Sequence, residues 1–332
     1  MAAKAAGVER VLVTGGSGFI GTNLIDFYLE LGSEVLSIDH SAPRKVEHER
    51  VWRQVDLLDR EGLRDVIQAF EPTHVLHMGA RTDLAGRRLV DYSANTAGVE
   101  NLIGALAGLP SLGRVIFASS RMVCKIGYQP KDETDYCPPT VYGESKVESE
   151  RLVRAGAANL PWIIVRPTSI WGPWFEVPYK DFFLSVARGH YFHVGQRRVR
   201  KSFGFVGNSV YQFNRLLMAP VDIVAGKTLY LADYPPLEVG EWAELIRQEL
   251  GARPLRSVPY SVLRVTALAG DALQRLGWER VPLTTFRLDN LLTEMVHDLQ
   301  SLEEIVGPLP YTLANGTAET VGWLRERGEL PR

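Results

Sequence analysis

The octapeptide Thr14-Gly15-Gly16-Ser17-Gly18-Phe19-Ile20-Gly21 follows the apolar run Val11-Leu12-Val13 and opens a stretch of helical periodicity. Few short patterns restrict a chain so strongly. Glycines at 15, 18 and 21 each answer a physical demand: a tight turn, close approach of backbone to a pyrophosphate, and close packing of helix on strand. The helix N-terminus behind them offers N–H groups and the positive end of a dipole to phosphate oxygens. With a strand before it and a helix after it, the loop predicts a dinucleotide cradle made by Gly15, Ser17, Gly18, Phe19, Ile20 and Gly21.

The second strand candidate, Val35 to Asp39, ends on an acid where the reader of the adenosine ribose belongs. A carboxylate there binds ribose hydroxyls and repels a 2′-phosphate, so NAD is expected over NADP. Arg44 and Lys45 lie just downstream and could meet a 2′-phosphate if the loop folds back. A solvated strand-end acid is the plainer alternative for Asp39.

Further strand candidates are Val51 to Asp56, His74 to His77, Val115 to Phe117 and Ile163 to Val165. Amphipathic segments separate them; Leu63, Val66, Ile67 and Phe70 mark one helical stripe. Short β-branched runs alternating with helices predict an α/β fold, a doubly wound parallel sheet of Rossmann type. The pattern changes near Gly172, where Trp171 to Pro178 is rich in aromatic and turn residues. Thr228 to Ala232 is a late strand candidate, followed by a helix from Glu241 that buries Trp242, Leu245, Ile246 and Leu250. The expected division is therefore a dinucleotide domain over 1–171, rejoined by 200–235. A smaller, mostly helical substrate lobe is expected over 172–199 and 236–332.

Composition excludes several classes. The 332 residues carry a formal charge of -2, without the basic excess of a dedicated nucleic-acid binder. Two cysteines, Cys124 and Cys137, make neither a disulfide framework nor a zinc site. The segment Met1 to Gly7 is too short and too weakly apolar for a signal peptide, and no apolar run approaches the ~20 residues of a membrane span. The expectation is a cytoplasmic protein with no membrane or nucleic-acid partner and no metal.

Tyr142-Gly-Glu-Ser-Lys146 places a phenol and an ammonium one helical turn apart if a helix starts there. A free tyrosine, with a pKa near 10, is a poor base. A lysine beside it and a positive nicotinamide ring would favour the phenolate, giving a general acid or base for a substrate hydroxyl. The strand before this segment ends at Ser119-Ser120, whose hydroxyls could hold the same oxygen.

Together these residues resemble the extended short-chain dehydrogenase/reductase family, in its nucleotide-sugar epimerase and dehydratase branch. The resemblance runs over most of the chain. It takes in the glycine loop, Asp56-Leu57, His77-Met-Gly-Ala80, Asn95-Thr-Ala-Gly98, Ser119-Ser120, Tyr142 to Lys146, and Arg166-Pro-Thr-Ser-Ile-Trp-Gly-Pro173. It implies that Asp56 and Leu57 contact the adenine, and that Met78, Gly79, Ala80 and Pro167 line the cofactor. It also implies that Ser120 and Tyr142 are catalytic and that Lys146 orients the nicotinamide ribose. Homodimers are usual in such families.

Departures from the family pattern narrow the reaction. Arg121-Met122 stand where dehydratases carry an acidic pair, so a 4,6-dehydratase is not expected. Cys124 lies too far along for the cysteine of fucose-synthase-like members and should pack as a small apolar side chain. Ser169 replaces an asparagine that helps hold the substrate diphosphate, Lys201 stands near a family arginine, and Asn208 replaces an acid. Arg197, Arg198, Arg200 and Lys201 could grip a diphosphate or simply form a solvated loop. Arg81, Thr82 and Asp83 follow the fourth strand and should face substrate, as should Ser120, Arg121, Tyr142, Ser169 and Lys201. His190 and His193 read as packing or surface residues. Trp171, Trp174 and Phe175 could stack on a base or pack a loop. Glu148 and Glu150 read as an exposed or helix-pairing set.

The expected activity is an NAD(H)-dependent epimerase or keto-reductase acting on a nucleoside-diphosphate sugar through a 4-keto species. Alternatives are a 3-beta-hydroxysteroid-dehydrogenase-like or other small-alcohol oxidoreductase, and a non-catalytic NAD-binding regulator.

Overall fold

The computed structural model describes residues 10–278, 281 and 283–330. The Met1 to Gly7 segment therefore lies outside the described residues. Seven strands form the main sheet: β1 (Arg10–Thr14), β2 (Glu34–Asp39), β3 (Trp52–Gln54), β4 (His74–His77), β5 (Arg114–Ala118), β6 (Trp162–Pro167) and β7 (Thr228–Leu231). Their order is β7-β6-β5-β4-β1-β2-β3, and every pairing is parallel. Val11, Leu12 and Val13, and likewise Ile163, Ile164 and Val165, are buried throughout, as strands covered on both faces must be.

Helices α1 (Phe19–Glu30), α2 (Arg60–Phe70), α3 (Ala97–Leu106) and α4 (Val141–Gly156) supply the crossovers. α2, α3 and α4 pack in sequence, closing a core of Leu63, Ile67, Leu102, Leu106 and Val153 over Leu12, Val75, Val115 and Ile164. The helix Val206–Met218 packs with α1, where the buried Tyr28 hydroxyl donates to Asn214 at 3.3 Å. The strand order reverses between β1 and β4, so the loops leaving these two strands diverge and open a crevice at their carboxyl ends.

The chain divides into two compact units. One comprises Met1–Ile170, Gly204–Ala232 and Asp298–Pro310; the other comprises Trp171–Phe203, Asp233–His297 and Tyr311–Arg332. Asp298–Pro310 belongs with the first unit, because its helix Gln300–Val306 packs on Val206–Met218 and β7. Periodicity alone does not reveal that return. In the second unit Trp171 is fully buried against Phe183 and Trp242, and Phe175 packs on Phe183 and Trp323, so these aromatics build core. Among the described residues no helix is long and apolar enough to cross a membrane.

Candidate active site

Gly15 adopts φ +71°, and a Cβ there would lie 2.5 Å from the Gly79 nitrogen and 2.6 Å from its Cα. The turns after β1 and β4 thus touch through bare backbone at the switch point. Gly21 is needed for a different reason: a Cβ would collide with the Gly15 carbonyl and sit 2.7 Å from the Gly16 Cα. Gly16, not singled out from the sequence, is equally constrained, since a Cβ would strike Ser37 Oγ and approach Ile25. Gly18 caps α1 without a side-chain hydrogen bond, and no acid occupies the first turn, so the positive helix end is left to a phosphate ligand.

Asp39 closes this loop from β2. Its carboxylate accepts from the Ser17 N–H at 3.1 Å and the Ser41 N–H at 3.0 Å, while Ser17 Oγ donates to the Ser41 carbonyl at 2.8 Å. The Lys45 ammonium donates to Asp26 at 2.7 Å, alongside His48 at 2.8 Å, and Arg44 Nε donates to the Ser17 carbonyl at 2.9 Å. A cleft of about 600 Å³ opens beside Asp39. Gly15, Asp56, Leu57, Gly79, Ala80, Arg81, Thr82 and Asp83 also line it. Phe19 and Ile20 begin α1, Met78 donates its N–H to the Thr14 carbonyl at 3.0 Å, and Pro167 ends β6 opposite Leu231.

His77 and Thr14 form the floor. The His77 ring nitrogen Nδ1 lies 2.7 Å from Thr14 Oγ1, which also accepts from the Gly79 N–H at 3.2 Å. Burial, reinforced by the Lys146 charge, pushes the His77 pKa down to about 3, and burial with Arg114 takes His74 down to about 4. Both imidazoles are neutral in the fold, whereas the unfolded chain takes up protons below about 6.5. Stability should be full above pH 6.5 and decline steadily as pH falls toward 4. Urea titrations across that range should show the midpoint falling, with a shallower fall in His77→Asn; a pH-independent midpoint would refute the assignment.

α4 starts one residue before Tyr142, because the Thr140 hydroxyl caps it by accepting the Gly143 N–H at 3.1 Å. Tyr142 is buried, Ser120 lies close enough to favour its ionised form, and its ring lies 6.0 Å from that of Tyr92. Ser120 in turn accepts from the Met122 N–H at 3.1 Å. Lys146 is buried one turn along and donates to the Ala118 carbonyl at 2.8 Å. Burial lowers the Lys146 pKa to about 8, with Glu150 opposing.

The sequence leads one to expect that Lys146 depresses the Tyr142 pKa. In the fold burial raises it, and the opposing influences are Ser120 and the Arg121 charge. The physical reason is that the Lys146 ammonium is directed to the end of β5. The protein alone therefore holds Tyr142 as a neutral phenol, ready to donate.

Two further expectations are corrected. Glu150 is not exposed: it is 1% exposed, pairs along the helix with Arg154 at 3.7 Å, and also accepts from Ser119 Oγ at 2.6 Å and Tyr136 at 2.9 Å. Arg166, projecting from β6, donates to both its oxygens, from Nε at 2.8 Å and from a terminal nitrogen at 2.7 Å. Burial alone would lower the Arg166 pKa, but Glu150 reverses this and raises it. Ser119 is consequently committed to Glu150, which leaves Ser120 alone beside Tyr142.

Asn95, within the Asn95–Gly98 motif, ties the substrate-side loop to α4. It accepts from the Arg81 N–H at 2.8 Å and donates to the Arg81 carbonyl and Ser145 Oγ, both at 2.9 Å. The Arg81 guanidinium grips Asp83 through bonds of 2.7 and 3.0 Å and lies over Tyr92. Thr82 is exposed at the same rim. Arg121 is half-buried and close enough to Tyr142 for its charge to be felt.

The residues expected to grip a diphosphate have other engagements or are buried. Ser169 is buried, Arg200 pairs with Glu294 at 3.1 Å, Lys201 donates to the Asn290 carbonyl at 3.1 Å, and Arg197 lies over Tyr260. Lys201 belongs to the second unit. Cys124 is buried with Val123 and Val147, as a small apolar side chain would be.

Comparison with known proteins gives concordant results. The model of the NAD dependent epimerase/dehydratase family matches residues 11–221. The chain is 28% identical over 294 residues to the 3 beta-hydroxysteroid dehydrogenase/Delta 5-->4-isomerase of Mycobacterium tuberculosis, covering 82% of this chain and 76% of that protein. It is 23% identical over 320 residues to the N-acetyl-alpha-D-glucosaminyl-diphospho-ditrans,octacis-undecaprenol 4-epimerase of Escherichia coli O157:H7, covering 94% of each. Among solved structures, UDP-glucuronic acid 4-epimerase from Bacillus cereus, in complex with UDP-glucuronic acid and NAD, superposes with a TM-score of 0.72. Identity there is 16%, with 96% of this chain and 99% of that chain covered.

Proposed function

This chain belongs to the NAD-dependent epimerase/dehydratase family, and from that premise we propose that it interconverts a secondary alcohol and its ketone with Tyr142 as the acid/base. The observation that carries the reading is Tyr142 itself, a buried phenol beside Ser120 with Lys146 one turn along.

NAD, when bound, supplies the hydride acceptor and a positive ring. Gly15, Ser17, Gly18, Phe19, Ile20 and Gly21 would hold its pyrophosphate. Asp39 would take the adenosine ribose, Asp56 and Leu57 would border the adenine, and Met78, Gly79, Ala80 and Pro167 would line the remainder. The glycine fit has a direct test. Gly15→Ala adds a methyl group both at positive φ and against Gly79, so NAD affinity should fall at least about tenfold by calorimetry. Unchanged affinity would remove the loop from the site.

In the chemical step Tyr142 takes the hydroxyl proton as the carbinol carbon is oxidised, and returns it to the oxygen on reduction. Ser120 shares the hydrogen bonds of that oxygen. Lys146 stands one helical turn along, bonded to the Ala118 carbonyl, and the Arg121 charge favours the ionised phenol. Arg81, Thr82 and Asp83, which line the cleft beside Asp39, are assigned to the substrate.

The first substrate class is a nucleoside-diphosphate sugar, epimerised through a 4-keto species; the name of the Bacillus cereus protein is that of a UDP-sugar 4-epimerase, while that of the Escherichia coli relative is a 4-epimerase of a sugar diphospho-linked to undecaprenol. The second is an apolar alcohol of the hydroxysteroid kind. It is favoured by the 28% relative and by Arg200 and Lys201, which are already engaged with Glu294 and the Asn290 carbonyl. Thermal-shift measurements with NAD plus UDP, dTDP, GDP or CDP separate the two. Stabilisation beyond NAD by one nucleotide supports the sugar. No response to any of the four, with a response to a 3-hydroxysteroid, supports the apolar alcohol.

A further inference from the structure

The two cysteines of the chain meet between the catalytic serine and the acid/base helix. Cys124 ends the single turn that Ser120 caps, and Cys137 lies three residues before Thr140, the cap of α4. A loop of 12 residues separates them. The Cys137 N–H donates to the Val123 carbonyl at 3.0 Å, and the Lys125 N–H donates to the Cys137 carbonyl at 2.8 Å. Those two bonds set Cys124 and Cys137 directly opposite each other in an isolated parallel bridge. Both are free thiols.

Facing residues of a parallel pair project to the same side, at a strand spacing of about 4.8 Å. A disulfide accepts Cα separations of roughly 4.4–6.8 Å, so the backbone already meets its first requirement. The Cys124 sulfur also leans toward the opposite segment: its thiol donates to the Asp135 carbonyl at 3.5 Å, two residues before Cys137. Asp135 is itself fixed, accepting from the Tyr128 hydroxyl at 2.7 Å and the Lys131 N–H at 2.9 Å. The loop that a cross-link would close is closed beforehand, and little chain entropy opposes the bond. Exposure divides the roles. Cys137 is half-buried and open to a small oxidant, whereas Cys124 is 4% exposed and burial pushes its thiol pKa up.

We propose that Cys124 and Cys137 are a peroxide-sensitive pair that closes reversibly into a disulfide. The Cys137 thiolate attacks an oxygen of hydrogen peroxide; an S–O bond forms, the O–O bond breaks, and the leaving hydroxide takes a solvent proton to become water. Cys124 then attacks the sulfenic sulfur; the S–S bond forms, the S–O bond breaks, and the Cys124 proton departs with hydroxide as a second water. Two thiols are oxidised and the peroxide is reduced. The bond would draw the two Cβ atoms from the strand spacing to about 3.8 Å, roughly 1 Å closer. Ser120 and Tyr142 stand at the far ends of the two joined segments, and a 1 Å error in such a pair can cost on the order of a hundredfold in rate. This effect on rate rests on the acid/base role given to Tyr142; the disulfide itself does not.

Thiol titration of the full chain tests the pair. After hydrogen peroxide and then unfolding, the two thiols should both be lost, with the mass of two hydrogen atoms and a peptide joining Cys124 to Cys137. Dithiothreitol should restore both. Cys124→Ala, which keeps a small apolar side chain in place, should stop at a Cys137 sulfenic acid that dimedone traps. Turnover should fall at least about fivefold on oxidation and return with the reductant, while Cys137→Ala keeps its turnover in peroxide. Two thiols surviving peroxide would overturn the pairing, as would a dimer linked through Cys137 on non-reducing electrophoresis. A disulfide that leaves turnover unchanged, or equal loss of turnover in Cys137→Ala, would overturn the effect on the site. A reduced enzyme without turnover would fault the role of Tyr142 and not the disulfide, which the thiol count decides alone.

Discussion

Tyr142→Phe should lower turnover by about 10²–10⁴-fold, the span expected when a positioned acid/base is removed, while NAD affinity stays nearly unchanged. The substitution keeps the ring against Tyr92 and deletes only the hydroxyl beside Ser120. No neighbouring group is suited to take over. His77 is buried and neutral, and is engaged with Thr14. The grip of Arg81 holds the Asp83 carboxyl down to about 2, leaving it a very weak base at neutral pH. Steady-state kinetics with the substrate found by thermal shift, paired with calorimetry for NAD, would separate lost chemistry from lost binding. Unchanged turnover would remove Tyr142 from the mechanism and favour a non-catalytic NAD-binding role.

Burial also makes the two directions of reaction unequal in their demands. The fold raises the Tyr142 pKa, so the isolated chain presents a proton donor. To act as a base, the phenol needs nearby positive charge. Arg121 contributes through space, whereas Lys146 is directed to the Ala118 carbonyl and at a pKa of about 8 begins to lose its own proton in mildly alkaline solution.

The backbone of this fold is legible in the sequence because its signals are local. The glycine loop between an apolar run and a helix, the β-branched strands, and the capped start of α4 each lie within a few residues of chain. Gly15 and Gly21 meet the demands assigned to them from spacing alone, and Tyr142 and Lys146 fall one turn apart. What stayed hidden depends on partners far along the chain. Glu150 looks like one charge among several on a helix until β6 brings Arg166 onto it from 16 residues away. Ser119 and Ser120 are indistinguishable as neighbours, yet Glu150 takes the first and Tyr142 the second. Gly16 gives no hint that Ser37, on another strand, stands where its side chain would go. The return of Asp298–Pro310 to the first unit is equally non-local, since an amphipathic helix does not state which surface it covers. The substrate residues are the least legible, because Ser169, Lys201 and Asn208 depart from the family pattern and their geometry answers to contacts elsewhere.

The buried pair of Glu150 and Arg166 supports the second large prediction. Glu150→Ala should destabilise the protein by about 3–5 kcal/mol, because the guanidinium of Arg166, 2% exposed, would lose both charge-assisted bonds with no route to water. Ser119 and Tyr136 would lose their acceptor as well. The cost comes from the orphaned charge more than from the missing attraction, and this distinguishes it from ordinary loss of packing. Glu150→Ala/Arg166→Met should therefore recover much of the stability, since two well-packed neutral side chains can replace a buried ion pair at little net cost. Glu150→Gln should fall between them, because its single amide oxygen keeps an acceptor for one of Ser119 and Tyr136 while the charge is lost. Denaturant titrations of the four proteins would decide the matter. If the double variant is no more stable than Glu150→Ala, the cost lies in packing around residue 150 rather than in an unpaired Arg166. If Glu150→Ala is as stable as the parent, the network is dispensable to the fold.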